Sequence, residues 1–408
     1  MQKNELDFIL TTMLDAQRDV SDLIFTVDKS LQVESSGELM SVPCEPEINR
    51  LTPYQTEMVA LNLLSGSHKL IMDLLKHGSC DSSYTLEGKA RFRINIFAQR
   101  GNYSIVLRKL NTEIPTLDQL GMPDIFKTAA KEKTGLILVT GATGSGKSTT
   151  LAAMLNLINE TRSIHVITLE DPVEFVHPQR KATFNQRELG TDFDTFSHGL
   201  RAALRQAPKV ILVGEMRDRQ TVEIALTAAE TGHLVLSTLH TIDAGQTINR
   251  ILGMFEPEEQ DQVRVRLADT LRYVISQRLA PQIGGGRHAL LEIMGANLRT
   301  KETVVQGESE GKSFYEIIEA SETFGWQTFD RACVAAFEAG TISEEAALLY
   351  CTKRGVVTRT IDNVKKLRGE AINDFSNLRM RPGGEAAGKN AGKGAAGPPP
   401  VPMSLKLK

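Results

Sequence analysis

A glycine-rich segment with a single lysine is the part of the chain whose chemistry is most specific. Residues 141–149 read GATGSGKST, which fits the pattern G-x-x-x-x-G-K-[ST]. An apolar run (136–139, LILV) precedes it, and LAAMLNLIN (151–159) after it has helical spacing. Such a loop surrounds the β-phosphate with backbone N–H groups, while Lys147 reaches the β- and γ-phosphates and Ser148 ligates Mg²⁺. The segment predicts a site for ATP and Mg²⁺.

The predicted nucleotide-binding residues are the nine positions of this loop and the start of the helix after it. They are Gly141, Ala142, Thr143, Gly144, Ser145, Gly146, Lys147, Ser148 and Thr149. Ser148 is also a predicted metal ligand, and Lys147 is also a predicted catalytic residue.

Two acidic segments downstream carry carboxylates suited to phosphoryl transfer. TLEDPVEFVH (168–177) follows a β-branched run and has three carboxylates within five positions, the last of which is Glu174. KVILVGEMRD (209–218) has four apolar residues, a glycine and then Glu215, on a strand predicted to neighbour the P-loop strand. Alone, the first segment is typical of a solvated turn, but the P-loop context places both segments at the nucleotide. We expect Glu215 to lie near the metal and the attacking water.

Composition limits the other classes of function. The chain has 408 residues with 41% hydrophobic and 24% charged residues, as in soluble globular proteins of two or three domains. The net charge of −3 gives no global basic field for nucleic acid, and no stretch approaches 18 apolar residues, so any membrane association is expected to be peripheral. Four scattered cysteines without a C-x-x-C pair favour reduced thiols in the cytoplasm.

The patterning along the chain predicts an α/β protein with an α+β domain before it. Residues 84–110 alternate apolar and polar positions, as in an antiparallel meander, whereas the runs LILV, VITL, VILV and LVLST between 136 and 238 are typical of a mainly parallel, buried sheet. Later segments such as 327–340 and 343–355 have the pattern of short helices that end in glycine. The predicted parts are an N-terminal domain (1–112), a linker (113–130), a P-loop domain (131–294), a helical C-terminal domain (295–370) and a disordered tail (371–408).

Four segments in this order resemble one family. They are the P-loop, TLEDPVEFVH, ALRQAPKVILVGEMRD (203–218) and ETGHLVLSTLHT (230–241). Together they resemble the ATPases of type IV pilus and type II secretion systems, best the pilus-retraction (PilT/PilU) branch that acts in twitching motility. The resemblance implies a cytoplasmic homo-hexamer at the inner face of the cytoplasmic membrane, with a PAS-like N-terminal and a RecA-like P-loop domain. It also implies an inner-membrane pilus platform protein as partner.

The resemblance also implies roles for the carboxylates. Glu174 would polarise the attacking water alongside Glu215, and the choice of base between them stays open at this point. Glu170 and Asp171 are expected to support the shape of the acidic segment. Phosphoryl transfer needs a placed water and charge compensation, which agrees with these roles.

Histidines and arginines complete the implied catalytic set. The resemblance places His233 and His240 near the nucleotide, although histidines on either side of an apolar strand are more often structural. It also places N-terminal arginines near the phosphates, in some members across a subunit boundary. The matching candidates are Arg93, Arg100 and Arg108, and the alternative is that they lie on the wet face of their strands.

The sequence departs from the retraction branch at two places. Ser21–Ile24 reads S-D-L-I where the family often has S-D-x-H, and residues 295–314 do not keep the A-I-R-N-L-I-R-E stretch associated with retraction. FGWQTFD (324–330) leans towards PilU-like accessory members that act with a second pilus ATPase. Two other functions stay open: an adaptor subunit without turnover, and a RecA-like nucleic-acid motor, against which the acidic balance counts.

Overall fold

The computed structural model describes residues 2–44, 47–110 and 113–369. Internal contacts divide the chain into residues 1–361 and 362–408. The first unit holds both sheets, and of the second only the end of the last helix is described. The predicted disordered tail (371–408) lies outside the described residues. Among the described helices, none combines the length and the apolar content that crossing a bilayer requires.

The N-terminal part is an antiparallel sheet with helices. Its strands are β1 (Val20–Phe25), β2 (Gln32–Ser35), β3 (Glu38–Ser41), β4 (Ser79–Leu86), β5 (Ala90–Gln99) and β6 (Asn102–Leu110), and its helices are α1 (Lys3–Asp15), α2 (Pro53–Leu63) and α3 (His68–His77). The strand order is β3-β2-β1-β6-β5-β4. On β5, Phe92, Ile94 and Ile96 are fully buried, while the alternate residues Arg91 and Arg93 lie on the opposite face. The predicted meander over 84–110 is confirmed.

The second sheet is seven-stranded and mainly parallel. Its strands are β7 (Gly135–Thr140), β8 (His165–Glu170), β9 (Thr183–Glu188), β10 (Val210–Val213), β11 (Leu234–Leu239), β12 (Leu271–Pro281) and β13 (Arg287–Gly295); its helices are α4 (Ile125–Ala129), α5 (Lys147–Thr161), α6 (Phe196–Ala203), α7 (Arg219–Glu230), α8 (Ala244–Leu252) and α9 (Pro257–Thr270). The order is β13-β12-β7-β11-β10-β8-β9, and only β12 and β13 pair antiparallel. Every residue of β7, β10 and β11 is buried, because helices cover both faces. The predicted α/β class is confirmed.

The strand order corrects one prediction about the site. β10, which precedes Glu215, does not neighbour the P-loop strand β7, because β11 is hydrogen-bonded to both. Strands β7, β11, β10 and β8 run parallel, so their C-terminal ends meet at one edge. Glu215 therefore reaches the P-loop edge across one intervening strand.

Two further features differ from the sequence pattern. The apolar runs coincide with β7, β8, β10 and β11 but not with β9, β12 and β13, of which β9 (TFNQRE) is a polar strand at the sheet edge. The segment predicted as a linker contains α4, whose Phe126 is fully buried in a cluster with Ile137 and Met154. Its second half is therefore part of the core of the second sheet.

The C-terminal part is helical, as predicted. Its helices are α10 (Leu298–Gln306), α11 (Phe314–Glu319), α12 (Phe329–Glu338), α13 (Glu344–Tyr350) and α14 (Arg354–Arg368). α12 ends before Gly340, which has φ +69°, but the prediction that the next helix ends at Gly355 is wrong. α13 ends at Tyr350, and Gly355 lies inside α14. The cause is Asp330, whose buried carboxylate accepts the N–H groups of Thr352 and Lys353 and so fixes the start of α14.

A buried carboxylate ties the sheet to the helix that follows the second histidine segment. Glu292 on β13 is 3% exposed, and its Oε1 accepts the N–H of Ala244, the first residue of α8, at 2.9 Å. Burial raises the pKa of Glu292 to about 7, and the Ala244 hydrogen bond only partly opposes this. The carboxyl thus takes up its proton near neutral pH in the folded chain.

We expect Glu292→Gln to stabilise the protein at pH 8 and to have little effect at pH 4.5. The folded pKa of Glu292, about 7, lies above its ordinary value of 4.5, so the folded state binds more protons between these values and wild-type stability falls as pH rises through them. Glutamine keeps the acceptor for Ala244 but carries no charge. The expected gain above pH 7 is about 3 kcal/mol in the free energy of unfolding. Denaturant unfolding from pH 4.5 to 8 measures it, and Glu87→Gln at an exposed turn should keep the wild-type pH dependence.

Candidate active site

The loop between β7 and α5 has backbone geometry that requires glycine at two positions. Gly141 has φ +146°, and a Cβ there would lie 2.4 Å from the carbonyl oxygen of Gln277 on β12. Gly146 has φ +88°, and its Cβ would lie 2.8 Å from Nε2 of the same glutamine. The Gln277 side chain is itself held, since its Oε1 accepts the Thr150 hydroxyl at 2.9 Å. At these two glycines the loop is therefore packed against β12 without space for a side chain.

We expect Gly146→Ala to destabilise the nucleotide-free protein more than Gly144→Ala. Both positions have positive φ, +88° and +77°, so both substitutions carry the same backbone strain of about 1 kcal/mol. Only at Gly146 would the methyl group meet a buried side chain, because nothing lies within 4 Å of the Cβ at Gly144. Overpacking adds about 1–3 kcal/mol. Denaturant unfolding without nucleotide measures the difference, and equal effects of the two substitutions would contradict the packing argument.

Lys147 is held inside the loop. Its Nζ donates hydrogen bonds to the carbonyl oxygens of Gly141 at 2.8 Å and Ala142 at 2.9 Å, and the residue is 9% exposed. Desolvation lowers the pKa of Lys147, and the carboxylates of Glu215 and Glu174 partly oppose this. The ammonium is therefore poorly hydrated and faces two of the predicted catalytic carboxylates.

The serines of the loop differ in environment. Ser148, in the first turn of α5, is exposed and lines the cavity, whereas the Ser145 hydroxyl is buried and has no hydrogen-bond partner among the described residues. The N-terminus of α5, a helix of 15 residues, directs its free N–H groups to the same place. These donors fit a phosphate chain. In the described part of the chain, no cluster of three or more histidine, cysteine or acidic residues could hold a metal by itself.

Glu215 is placed by close contact between the ends of three strands. The N–H of Gly214 donates to the carbonyl oxygen of Leu169 on β8 at 2.7 Å, and a Cβ at Gly214 would lie 3.1 Å from that oxygen. On the other side, the Thr238 hydroxyl of β11 donates to the carbonyl oxygen of Gly214 at 2.6 Å. The turn after β10 is thus fixed from both neighbours.

The Glu215 carboxylate contacts two cationic or titratable groups. Nε of Arg217 lies 2.7 Å from its Oε1, and Nε2 of His240 lies 3.4 Å from the same oxygen. Partial burial would raise the pKa of Glu215, but the contacts with Arg217 and His240 outweigh it and lower the pKa. Glu215 is therefore an anion near neutral pH and a weak proton acceptor.

The acidic segment after β8 is held by a side chain from β9. Nε2 of Gln186 donates to Oε1 of Glu170 at 3.1 Å and to the carbonyl oxygen of Phe175 at 2.8 Å, and its Oε1 accepts the N–H of His177 at 2.7 Å. Burial raises the pKa of Glu170 to about 7 although hydrogen bonds from Thr168 and Gln186 oppose it. Glu170 thus belongs to the framework of the segment, as predicted, while the side chain of Glu174 is exposed to the cavity.

These elements surround one cavity of about 420 Å³ at the C-terminal edge of the sheet. Its lining includes six of the nine predicted nucleotide-binding residues and three predicted catalytic residues: Thr143, Gly144, Gly146, Lys147, Ser148, Thr149, Glu174, Glu215 and His240. Asp171, expected to support the shape of the acidic segment, lines it too. Gly141, Ala142 and Ser145 line a neighbouring cavity with Gln277 on the other side of the loop. Residues as far apart in sequence as Thr143 and His240 therefore converge on the P-loop.

The two predicted histidines lie at opposite ends of β11. His240 follows the strand at the P-loop edge, whereas His233 precedes it, about 23 Å away along an extended strand. Nδ1 of His233 lies 3.0 Å from the carbonyl oxygen of Ala228, at the end of α7. Of the two, only His240 lines the cavity of its own chain, because a six-residue strand separates them.

The predicted arginines do not line this cavity either. Arg93 and Arg100 are exposed, and Arg100 lies in the β5–β6 turn with φ +48°. Nε of Arg108 donates to Oδ1 of Asp22 at 2.9 Å on the surface of the N-terminal sheet. A role for them would require the site of another subunit, and this remains a prediction.

Three residues at the site were missed by sequence reasoning. Arg217 pairs with Glu215, Gln186 supports the acidic segment, and Arg91 reaches that segment from the N-terminal sheet. Arg217 could have been found, since it follows Glu215 in GEMRD. The other two act through tertiary contacts that no local pattern records.

Comparison with known proteins gives a consistent result. The sequence profile of type II/IV secretion system proteins matches residues 81–333. The type IV pilus retraction ATPase PilT of Pseudomonas aeruginosa is 39% identical over 342 residues, which cover 84% of this chain and 97% of that protein. The type IV pilus ATPase PilU of the same organism is 35% identical over 346 residues, or 85% of this chain and 88% of that protein.

A solved structure agrees over the same length. The crystal structure of the pilus retraction motor PilT with bound ADP superposes with a TM-score of 0.77 and 40% identity. The match covers 87% of this chain and 98% of that chain. The similarity therefore includes the N-terminal sheet as well as the P-loop fold.

Proposed function

Because the chain belongs to the type II/IV secretion system protein family, as an ATPase of the PilT/PilU type, we propose that it is a hexameric motor coupling ATP hydrolysis to type IV pilus retraction. One observation supports the proposal most directly: the P-loop cavity brings Lys147, Glu174, Glu215 and His240 together. The chain that forms this cavity matches 97% of the length of PilT. Twitching motility is the expected cellular outcome.

The proposed nucleotide site uses the residues of the loop in named roles. The N–H groups at the start of α5 hold the phosphates, and Lys147 moves from its loop carbonyls to the β- and γ-phosphates. Ser148 and Glu215 would hold Mg²⁺ together with phosphate oxygens, since Mg²⁺ at such sites takes only one or two protein ligands. The bound ion would supply charge neutralisation at the transferred phosphate.

The contacts favour Glu174 over Glu215 as the group that orients water and accepts its proton. Glu215 forms an ion pair with Arg217 and has a lowered pKa, so it is better suited to bind the metal or the water molecules around it than to accept a proton. The Glu174 side chain lines the cavity and has no hydrogen bond to another described side chain. His240, beside Glu215, would sense the charge near the γ-phosphate.

Assembly would complete the site. Arg93, Arg100 and Arg108 are exposed on the N-terminal sheet, where Arg108 is also paired with Asp22. At the site of a neighbouring subunit a guanidinium would stabilise transition-state charge. Mixing Arg93→Ala subunits with an excess of Lys147→Ala subunits tests this. Hydrolysis above the level of either variant alone would support donation in trans, and the absence of recovery would count against it.

The proposed location is the cytoplasmic face of the inner membrane, through peripheral contact with a pilus platform protein. Deletion of the gene with microscopy of surface pili tests the direction of the motor. Hyperpiliated cells that do not twitch would support retraction, and bald cells would indicate extension instead. Complementation with Glu174→Gln should fail, whereas complementation with Glu87→Gln should succeed.

An accessory role beside a second pilus ATPase is the second candidate. The replaced stretch at 295–314, which contains the end of β13 and α10, favours it. In that case deletion would leave piliation unchanged unless the second ATPase is weakened, and mixed rings would be recovered by co-purification. Stimulation of hydrolysis by single-stranded DNA would instead indicate a nucleic-acid motor.

A further inference from the structure

Arg91 lies on β5 of the N-terminal sheet, two residues before the predicted catalytic candidate Arg93. Its guanidinium crosses to the second sheet: Nη2 lies 2.7 Å from Oε2 of Glu188 at the end of β9. Both side chains are largely buried, with 16% and 9% of their surfaces exposed. This ion pair is therefore distinct from the exposed pairs of the surface, which contribute little to any geometry.

The pair encloses one residue of the acidic segment. Nε of Arg91 donates to the carbonyl oxygen of Val173 at 3.1 Å, and Oε2 of Glu188 accepts the N–H of Val173 at 3.2 Å. Both backbone groups of Val173 are thus bonded to the pair. Because that carbonyl belongs to the peptide that joins Val173 to Glu174, its orientation sets the direction in which Glu174 leaves the backbone.

The neighbouring strand β4 fixes the orientation of the Arg91 guanidinium. Nη1 of Arg91 donates to the Thr85 hydroxyl at 3.2 Å and Nη2 to the Ser83 hydroxyl at 2.9 Å, both on β4. Every nitrogen of the side chain therefore has a partner, and the planar fork has little freedom to rotate. On the other side of Glu174, Gln186 holds the carbonyl oxygen of Phe175.

We propose that Arg91 and Glu188 are positioning residues that fix Glu174 in the cavity from the N-terminal sheet. The proposal rests on the proposed ATPase function and on Glu174 as the residue that orients water. It has a mechanical consequence: the chemical step depends on the N-terminal sheet being seated against the acidic segment. Movement of that sheet away from residues 172–174 would release Glu174 and stop hydrolysis while the nucleotide stays bound.

Steady-state ATP hydrolysis by the assembled protein tests the positioning role, because loss of positioning should lower kcat and leave KM nearly unchanged. Arg91→Ala is expected to lower kcat about 10- to 100-fold, since misplacement of a catalytic group by about 1 Å costs that much. KM for ATP and the Kd for ADP should stay within about threefold, because neither residue lines the nucleotide cavity. Arg91→Lys keeps the charge beside Glu188 but loses the fork, so it should fold as wild type and show an intermediate kcat.

Lys69→Ala is the matched control. Lys69 on α3 pairs with Asp194 in the connection between β9 and α6, so this pair also joins the N-terminal part to the P-loop part, but it is exposed and does not touch the acidic segment. We expect its kcat within twofold of wild type. An equal loss in Lys69→Ala and Arg91→Ala would overturn the proposal, because it would show a general tethering effect.

Combining Arg91→Ala with Glu174→Gln distinguishes a role of Arg91 in positioning Glu174 from a role in the stability of the fold. In a Glu174→Gln background, Arg91→Ala should lower the residual kcat no further, and Arg91→Ala/Glu188→Ala should lose about as much as either single variant. Wild-type kcat in Arg91→Ala, or a full further loss in the Glu174→Gln background, would overturn the proposal. A different result would show that the proposed function itself is wrong. In that case the wild type would not hydrolyse ATP, or Glu174→Gln would hydrolyse it as fast as the wild type.

Discussion

Lys147→Ala is expected to lower ATP hydrolysis at least about a hundredfold. The ammonium lies in a nearly dry position where it donates to two loop carbonyls, at 2.8 and 2.9 Å. A desolvated cation aimed at developing charge is worth far more than one in water, and loss of one such donor costs roughly 10²–10³ in rate. The effect should appear in kcat as well as in ATP affinity, since the γ-phosphate gains charge contact during transfer.

Phosphate release at saturating ATP and Mg²⁺ measures the effect, with Lys131→Ala at an exposed position as the control. Unfolding of the Lys147→Ala variant without nucleotide shows whether the loop stays intact when the lysine is absent. A variant with wild-type turnover would remove the P-loop from the mechanism. A folded variant that has lost only hydrolysis and nucleotide binding agrees with the site as described.

The sequence predicts those parts of the site whose residues are close together in the chain. The P-loop binds phosphate through contiguous backbone amides and one helix N-terminus, so nine neighbouring residues contain the whole phosphate-binding motif. Glu215 was found for a related reason, because a carboxylate directly after a buried parallel strand must lie at the C-terminal edge of the sheet. The apolar runs of β7, β8, β10 and β11 indicate parallel strands, and the C-terminal ends of parallel strands lie at the same edge of a sheet.

Other parts depend on tertiary contacts and could not be predicted from local patterns. The position of β11 between β7 and β10 follows from how the strands pair, and His233 is thereby placed at the far end of the sheet. β9 has too few apolar residues to be recognised as a strand, because its polar side chains Gln186 and Glu188 support the acidic segment instead of a core. Arg91 and Arg93 share one face of β5, and only the contacts distinguish the one that reaches Val173.

Glu174→Gln is expected to lower kcat by about 10²–10⁴, the range for loss of a positioned general base, and to remove the acidic limb of the pH–rate profile that reports this base. The amide keeps the size and hydrogen-bonding capacity of the side chain but cannot take the proton. Glu215→Gln should act differently, since its carboxylate is committed to Arg217 and, by our proposal, to Mg²⁺. We expect that variant to need a higher Mg²⁺ concentration for half-maximal rate and to keep the acidic limb.

A third carboxylate requires its own variant in this experiment. Glu170 also lines the cavity, and burial raises its pKa to about 7, so a limb near neutral pH could arise from its titration. Interacting carboxyls titrate as a set, so that profile must be compared across Glu170→Gln, Glu174→Gln and Glu215→Gln. If Glu215→Gln abolishes the acidic limb and Glu174→Gln preserves it, the two roles are exchanged. If the limb disappears only in Glu170→Gln, the titration that controls the rate is that of the framework beneath the acidic segment, and Glu174 acts by orienting water without taking up the rate-controlling proton.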